Sequence, residues 1–168
     1  MIRSAVSVLV LPTIVAGVLP SWIVYTYGAL VGWGLPAPLD LIPPAVGLAV
    51  GAVGLALAVG TIRRFATQGK GTLAPWDPPR KLVVTGVYRY VRNPMISGVL
   101  GRLAGEGIFF GSIEIFEWFA IFAIANAIYI PLFEEPGLAA RFGRNYLTYM
   151  AHVPRRIPRL TPWEPDWH

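Results

Sequence analysis

Cysteine is absent from all 168 residues, which excludes a disulfide framework, a thiolate metal site and a cysteine nucleophile. Charge is scarce as well: 14% of the residues are Asp, Glu, Lys or Arg, against 55% that are hydrophobic. A single soluble domain of this length cannot bury so much apolar surface. Between Ser4 and Gly34, and again between Leu41 and Ile62, there is no acidic or basic side chain at all. Internal repeats and low-complexity tracts are also missing.

What is present is apolar sequence in long runs, with a mean hydropathy of +0.56. Four runs, at about 5–33, 41–62, 95–112 and 115–133, approach or exceed the ~20 residues that cross a hydrocarbon core. The first is longer than the ~7–15 residues of a signal-peptide apolar region and reads as a retained helix. The expected fold is therefore an all-α integral membrane protein with four transmembrane helices, an ordered cytoplasmic loop and a C-terminal amphipathic helix. It forms one domain over 1–168, with two scaffold helices in 1–64 and the functional half in 65–160.

The formal charge of +5 does not point to nucleic acid, because the basic residues flank apolar runs and no nucleic-acid motif accompanies them. Arg63, Arg64, Lys70, Arg80, Lys81, Arg89 and Arg92 lie between the second and third runs, and Arg141, Arg144, Arg155, Arg156 and Arg159 follow the fourth. Cytoplasmic loops carry such an excess, so a multi-pass protein with both termini and the long loop in the cytoplasm is expected.

Glycine pairs at Gly28 and Gly32, and at Gly47 and Gly51, have the spacing that lets helix backbones approach in lipid, within the chain in preference to a dimer. Trp33 and Trp118 suit interfacial anchoring. Gly69, Gly71, Pro75, Pro78 and Pro79 interrupt the connection from Phe65 to Pro94, while Trp76, Leu82, Val83, Val84, Tyr88 and Tyr90 give it material to fold back as a cap. The third run carries Arg102 and Glu106 one turn apart. Intramembrane charges face a bundle interior or a polar cavity, so the two form a mutual ion pair or serve a cofactor directly. In the fourth run Pro131 should interrupt the helix just before Glu134 and Glu135 and aim both carboxylates at the mouth where Arg89 and Arg92 lie. Beyond Pro136, Leu138, Phe142, Tyr146, Tyr149, Met150 and Val153 share one helical face, which either lies on lipid or closes a pocket. Thr161 to His168 reads as a tail.

Tyrosine rings, guanidinium donors and paired carboxylates around one interfacial cavity suit a zwitterionic ligand with a cationic centre. S-adenosylmethionine meets that description, as do other polar metabolites. No metal site is expected.

The run Gly86-Val-Tyr-Arg-Tyr-Val-Arg-Asn-Pro-Met95, an apolar hairpin, Glu134-Glu135, Phe142-Gly143-x-x-Tyr146-x-x-Tyr149 and Val153-Pro154-x-x-Ile157-Pro158 together resemble the isoprenylcysteine carboxyl methyltransferase and phospholipid methyltransferase superfamily. The resemblance spans roughly Gly71 to Leu160. It implies an integral membrane enzyme that binds S-adenosylmethionine on the cytoplasmic side and takes a lipophilic or prenylated acceptor from the membrane lipid. By position, Tyr90, Arg92, Asn93 and Pro94 form the cofactor corner, Gly98 lies on the helix behind it, and Glu134 and Glu135 match the paired glutamates that hold the cofactor. Tyr146, Tyr149 and Arg141 match the covering helix, the last two with a catalytic role. Asn93 replaces the family histidine and Ile96 a common tyrosine. Asparagine binds through hydrogen bonds but is no general base. A carboxylate acceptor, as in an isoprenylcysteine, needs none, whereas an amine must lose a proton, for which Glu106 or His152 is the candidate. The expected function is methyl transfer from S-adenosylmethionine to such a lipophilic acceptor. Alternatives are a phospholipid or other small-molecule N-, O- or S-methyltransferase, a sterol-type NADPH reductase, and a non-catalytic lipid-binding membrane protein.

Overall fold

The computed structural model describes residues 12–68, of which 65–68 as backbone only, and residues 82–165. Among the described residues there are helices and no strand. A π-helical turn, Ile14–Val18, leads into α1 (Leu19–Tyr27); α2 is Ile42–Gln68, α3 Pro94–Phe110 and α4 Ile113–Tyr129. A second π-helical turn, Ile130–Glu134, carries α4 into α5 (Glu135–Phe142), and α6 is Arg144–His152. Two stretches, Leu39–Arg64 and Ile113–Phe142, are long and apolar enough to cross a membrane. The most apolar window of the second is only 11% buried, so its surface suits lipid better than a protein interior. The apolar stretch Ile14–Tyr27 and the 17-residue α3 are shorter.

The helix pair α2–α3 is the centre of the molecule, and it is built on glycine. A Cβ on Gly105 would stand 2.4 Å from the Gly51 nitrogen and 2.6 Å from the Gly47 carbonyl oxygen. One on Gly54 would meet the Arg102 nitrogen at 2.5 Å, and one on Gly98 the Gly54 oxygen at 2.7 Å. The helices are therefore antiparallel and touch backbone to backbone, the arrangement that small residues permit in lipid. Gly47 and Gly51 serve intramolecular packing, as their spacing suggested. Gly28 and Gly32 do not: α1 ends at Gly28 (φ 66), and Gly32 lies beyond it with φ 88. Left-handed glycine terminates a helix because no Cβ obstructs that conformation, and here it stops the first run well before residue 33.

On its other side α3 packs Val99 and Leu103 against Val15, Trp118, Phe119 and Phe122. Gly111, in the left-handed region at φ 60, ends α3, and the Ser112 side chain caps α4 by accepting from the Ile115 nitrogen. The two tryptophans tie elements together through their indole nitrogens. Trp118 Nε1 donates to the Val15 carbonyl at 3.0 Å and Trp33 Nε1 to the Ile108 carbonyl at 2.9 Å.

The single C-terminal amphipathic helix is corrected to two helices. Gly143, at φ 54 and ψ −132, takes a conformation essentially closed to other residues and separates α5 from α6. The apolar face itself is as expected: Leu138, Phe142, Tyr146, Tyr149, Met150 and Val153 gather around Leu82 and Val84. They cover the second half of the long connection, where Tyr88 and Val91 are also buried. Trp76 and the rest of 69–81 lie outside the described residues.

Candidate active site at the Arg-Asn-Pro corner

The 3-10 turn Gly86–Arg89 is set against the end of α2, where the Arg64 guanidinium lies over Gly86. The chain then turns through Tyr90 to Asn93 into α3, with Pro94 buried at the first helical position. Proline is favoured there because its missing N–H would have no intrahelical partner. Asn93 takes the N-cap position, but its side chain makes no capping bond.

Pro131, which has no N–H to give, interrupts the α4 ladder as expected. The break is accommodated as the π-helical turn Ile130–Glu134, in which Glu135 N donates five residues back to the Ile130 carbonyl. Such turns often mark functional positions, and this one delivers Glu134 and Glu135 beside the corner. Glu135 is 6% exposed. Arg92 Nη1 donates to its Oε1 at 2.7 Å, and Arg155 donates from Nε to Oε1 at 2.8 Å and from Nη2 to Oε2 at 2.6 Å. The Arg92 side chain is only 10% exposed, so the Glu135–Arg92 pair is a buried ion pair and not a screened surface bridge. The Tyr146 hydroxyl lies in the field of Arg92, whose buried Nε has no partner among the described residues. The hydrogen bond from Arg155 to Glu135 raises the arginine above its usual range.

Tyr146 and Tyr149 are each 3% exposed, with ring centroids 6.2 Å apart. Tyr149 donates through its hydroxyl to the Tyr88 carbonyl at 2.7 Å, which ties α6 to the corner. Burial pushes the Tyr146 phenol up to about 12, with the Glu135 carboxylate adding and Arg92 opposing. Burial likewise raises Tyr149, against the pull of Arg92. It raises Tyr88 further, with Tyr149 and Glu134 adding. These phenols are neutral at physiological pH and no bases. A folded-state value above the ~10 of a free phenol stabilises the fold fully below pH ~10, and that contribution is lost as pH rises through about 12. Absorbance titration at alkaline pH should therefore show these three of the seven tyrosines ionising together with loss of helical circular dichroism; ionisation with the helices intact would place them in water.

The C-terminal segment is no tail as far as Pro165. It returns along the corner as a strap: Arg92 N donates to Pro154 O at 2.9 Å, Arg159 N to Tyr90 O at 3.0 Å and Trp163 N to Arg89 O at 2.9 Å. Arg89 leaves the carboxylate pair and pairs with Glu164, while Trp163 stacks on His152 with centroids 5.1 Å apart.

The structure thus brings Arg92, Glu134, Glu135, Tyr146 and Tyr149 together beside Tyr90, Asn93 and Pro94. Of the other three candidates, Gly98 lies on α3 one turn beyond Pro94, behind the corner, and Glu106 lies far from it. Arg141 is exposed on α5. Gly98 faces the backbone of α2. Glu106 pairs with Arg102 at 2.6 Å, about 18 Å along α3 from Pro94 at the helical rise of ~1.5 Å per residue. That is the mutual ion pair among the two readings, although Glu106 Oε2 has no hydrogen-bond partner among the described residues. Arg155 was missed as a site residue; the signal lay in the Val153-Pro154-x-x-Ile157-Pro158 run, where it stands immediately after the proline.

A family model described as phospholipid methyltransferase matches residues 43–145, from α2 through the corner and both glutamates into α6. No curated protein and no solved structure matches the chain.

Proposed function

Because the chain belongs to the phospholipid methyltransferase family, within the superfamily that includes the isoprenylcysteine carboxyl methyltransferases, we propose that it transfers a methyl group from S-adenosylmethionine to a lipid acceptor at the cytoplasmic membrane face. The family is one of membrane methyltransferases. The donor, the acceptor and the orientation are our reading, as are four crossings with both termini cytoplasmic.

Arg92 carries the proposal. It is buried, fixed along one edge by Glu135, and left with an unsatisfied Nε. A buried donor of that kind costs free energy unless a ligand completes it, and a carboxylate is the natural acceptor for guanidinium. Glu134 is the complement. No salt bridge among the described residues engages it, in contrast to its neighbour. It can receive an ammonium group, so the donor set fits the zwitterionic end of S-adenosylmethionine. The cofactor would supply an electrophilic methyl on sulfonium. The chain would bind and orient: Arg92 and Glu134 fix one end, Tyr146 and Tyr149 wall the pocket, and the strap excludes water. Alignment of this kind is worth ~7–11 kcal/mol in favourable cases.

The family supports an acceptor of the phospholipid type. Asn93 in place of the family histidine supports a second one, a prenylated carboxylate, since that acceptor is already ionised. Calorimetry in mild detergent tests the donor. One-site binding of S-adenosylhomocysteine, and none of NADPH, is expected. Glu134→Gln should weaken it roughly 10- to 100-fold, the equivalent of losing a hydrogen bond to a charged group, and His152→Ala should leave it unchanged. NADPH binding alone would replace the proposal with a reductase.

A further inference from the structure

The strap between Arg155 and Leu160 has the composition of a membrane-surface segment, and its place against α3 sets its depth. Ser97 donates through its hydroxyl to the Arg156 carbonyl at 2.9 Å, and Asn93 N donates to the Arg155 carbonyl at 3.4 Å. Ser97 lies in the first turn of α3, about 4–5 Å along the axis from the helix start. The headgroup layer of each leaflet is roughly 5–8 Å thick. With α3 entering the bilayer at Pro94, the strap would be fastened at the height of the headgroups. There Ile157 is 81% exposed and Leu160 98%, in a stretch, Arg155-Arg156-Ile157-Pro158-Arg159-Leu160, with three arginines and no acid. Arg156 is exposed too. Arg159 gives Nη1 to the His152 carbonyl and keeps further donors of its fork.

We propose that this strap is a docking surface for anionic phospholipid headgroups, with Arg156 and Arg159 on phosphates and Ile157 and Leu160 in the acyl boundary. Alternation of basic and apolar side chains is what such a surface selects. Two apolar side chains bury far less than the ~800 Å² that each partner gives to a stable protein interface, so lipid is the occupant that fits. The proposal rests on the reading of α3 as a membrane helix. It also gives the site a sensor, because Arg155, which neutralises Glu135, begins the same strap. Anionic lipid that seats the strap also seats Arg155.

The cysteine-free chain suits a spin-label test. Thr161→Cys and, separately, Leu100→Cys are labelled with a nitroxide and placed in nanodiscs of phosphatidylcholine, with or without phosphatidylglycerol. The label at 161 should become less accessible to an aqueous nickel chelate when phosphatidylglycerol is present. Arg156→Gln should reverse this with a roughly fivefold drop in the docked-to-undocked ratio, equivalent to the ~1 kcal/mol of one basic residue at an anionic surface. Equal accessibility in both discs, or protection indifferent to Arg156→Gln, overturns the proposal while a shielded label at 100 leaves the membrane helix intact. A label at 100 open to the chelate overturns the membrane reading of α3 and the proposal with it.

Discussion

Replacement of Glu135 by alanine is expected to be among the most destabilising single changes in the chain. Arg92 and Arg155 both donate to this carboxylate. Its removal leaves the Arg92 guanidinium, 10% exposed, as an uncompensated charge beside a second cation. Breaking a buried pair by deleting one partner costs about 3–5 kcal/mol, much of it the penalty on the group left behind. Arg155 is 31% exposed and can turn to water, so Arg155→Ala should cost clearly less. Thermal unfolding of the two variants in one detergent checks the order. If Arg155→Ala proved as costly as Glu135→Ala, the buried Arg92 pair would not be the dominant interaction. Combining Glu135→Gln with Arg92→Met, which removes both buried charges at once, should recover part of the loss.

The second large effect is expected at the glycine seam. In Gly105→Ala the added methyl would lie 2.4 Å from the Gly51 nitrogen and 2.6 Å from the Gly47 oxygen. Both are backbone atoms, so no rotamer change relieves the clash and the helices must separate along the whole contact. Overpacking costs typically ~1–3 kcal/mol, occasionally more, and this substitution belongs at or above the upper limit. Gly60→Ala, on the same helix pair with nothing within 4 Å of its new Cβ, is the control. It should be neutral or gain up to ~1 kcal/mol from helix propensity. Should the two alanines behave alike in a denaturation assay, the close approach of α2 and α3 is wrong.

Part of this arrangement was legible in the sequence because one-dimensional spacing carries it. The Gly47 and Gly51 repeat announced a close helix contact, Pro131 the break before the glutamates, and the apolar set from Leu138 to Val153 a face that lands as one cluster. The readings that needed correction depended on single backbone angles. Periodicity continues smoothly through Gly143 even though its ψ of −132 ends the helix, and the Gly28–Gly32 spacing looks the same whether glycine packs a helix or terminates one. Partner choice was least accessible. That Arg89 turns to Glu164 and Arg155 to Glu135 depends on where the strap returns, and a run of arginines and prolines does not encode that path. Tyr149, by contrast, was singled out by the family resemblance, yet its hydrogen bond to the Tyr88 carbonyl required the fold.

Stiffness is distributed unevenly around α3. Toward α2 the closest contacts, at Gly47, Gly51, Gly54 and Gly105, are main chain on main chain, where no rotamer change can take up a displacement. Toward α4 it consists of Val99, Leu103, Trp118, Phe119 and Phe122, side chains that reorient at small cost. A displacement would therefore be taken up between α3 and α4 before it parted α2 from α3, and α4 leads through the π-helical turn into Glu134 and Glu135. Any opening between α3 and α4 would shift the two carboxylates relative to Arg92.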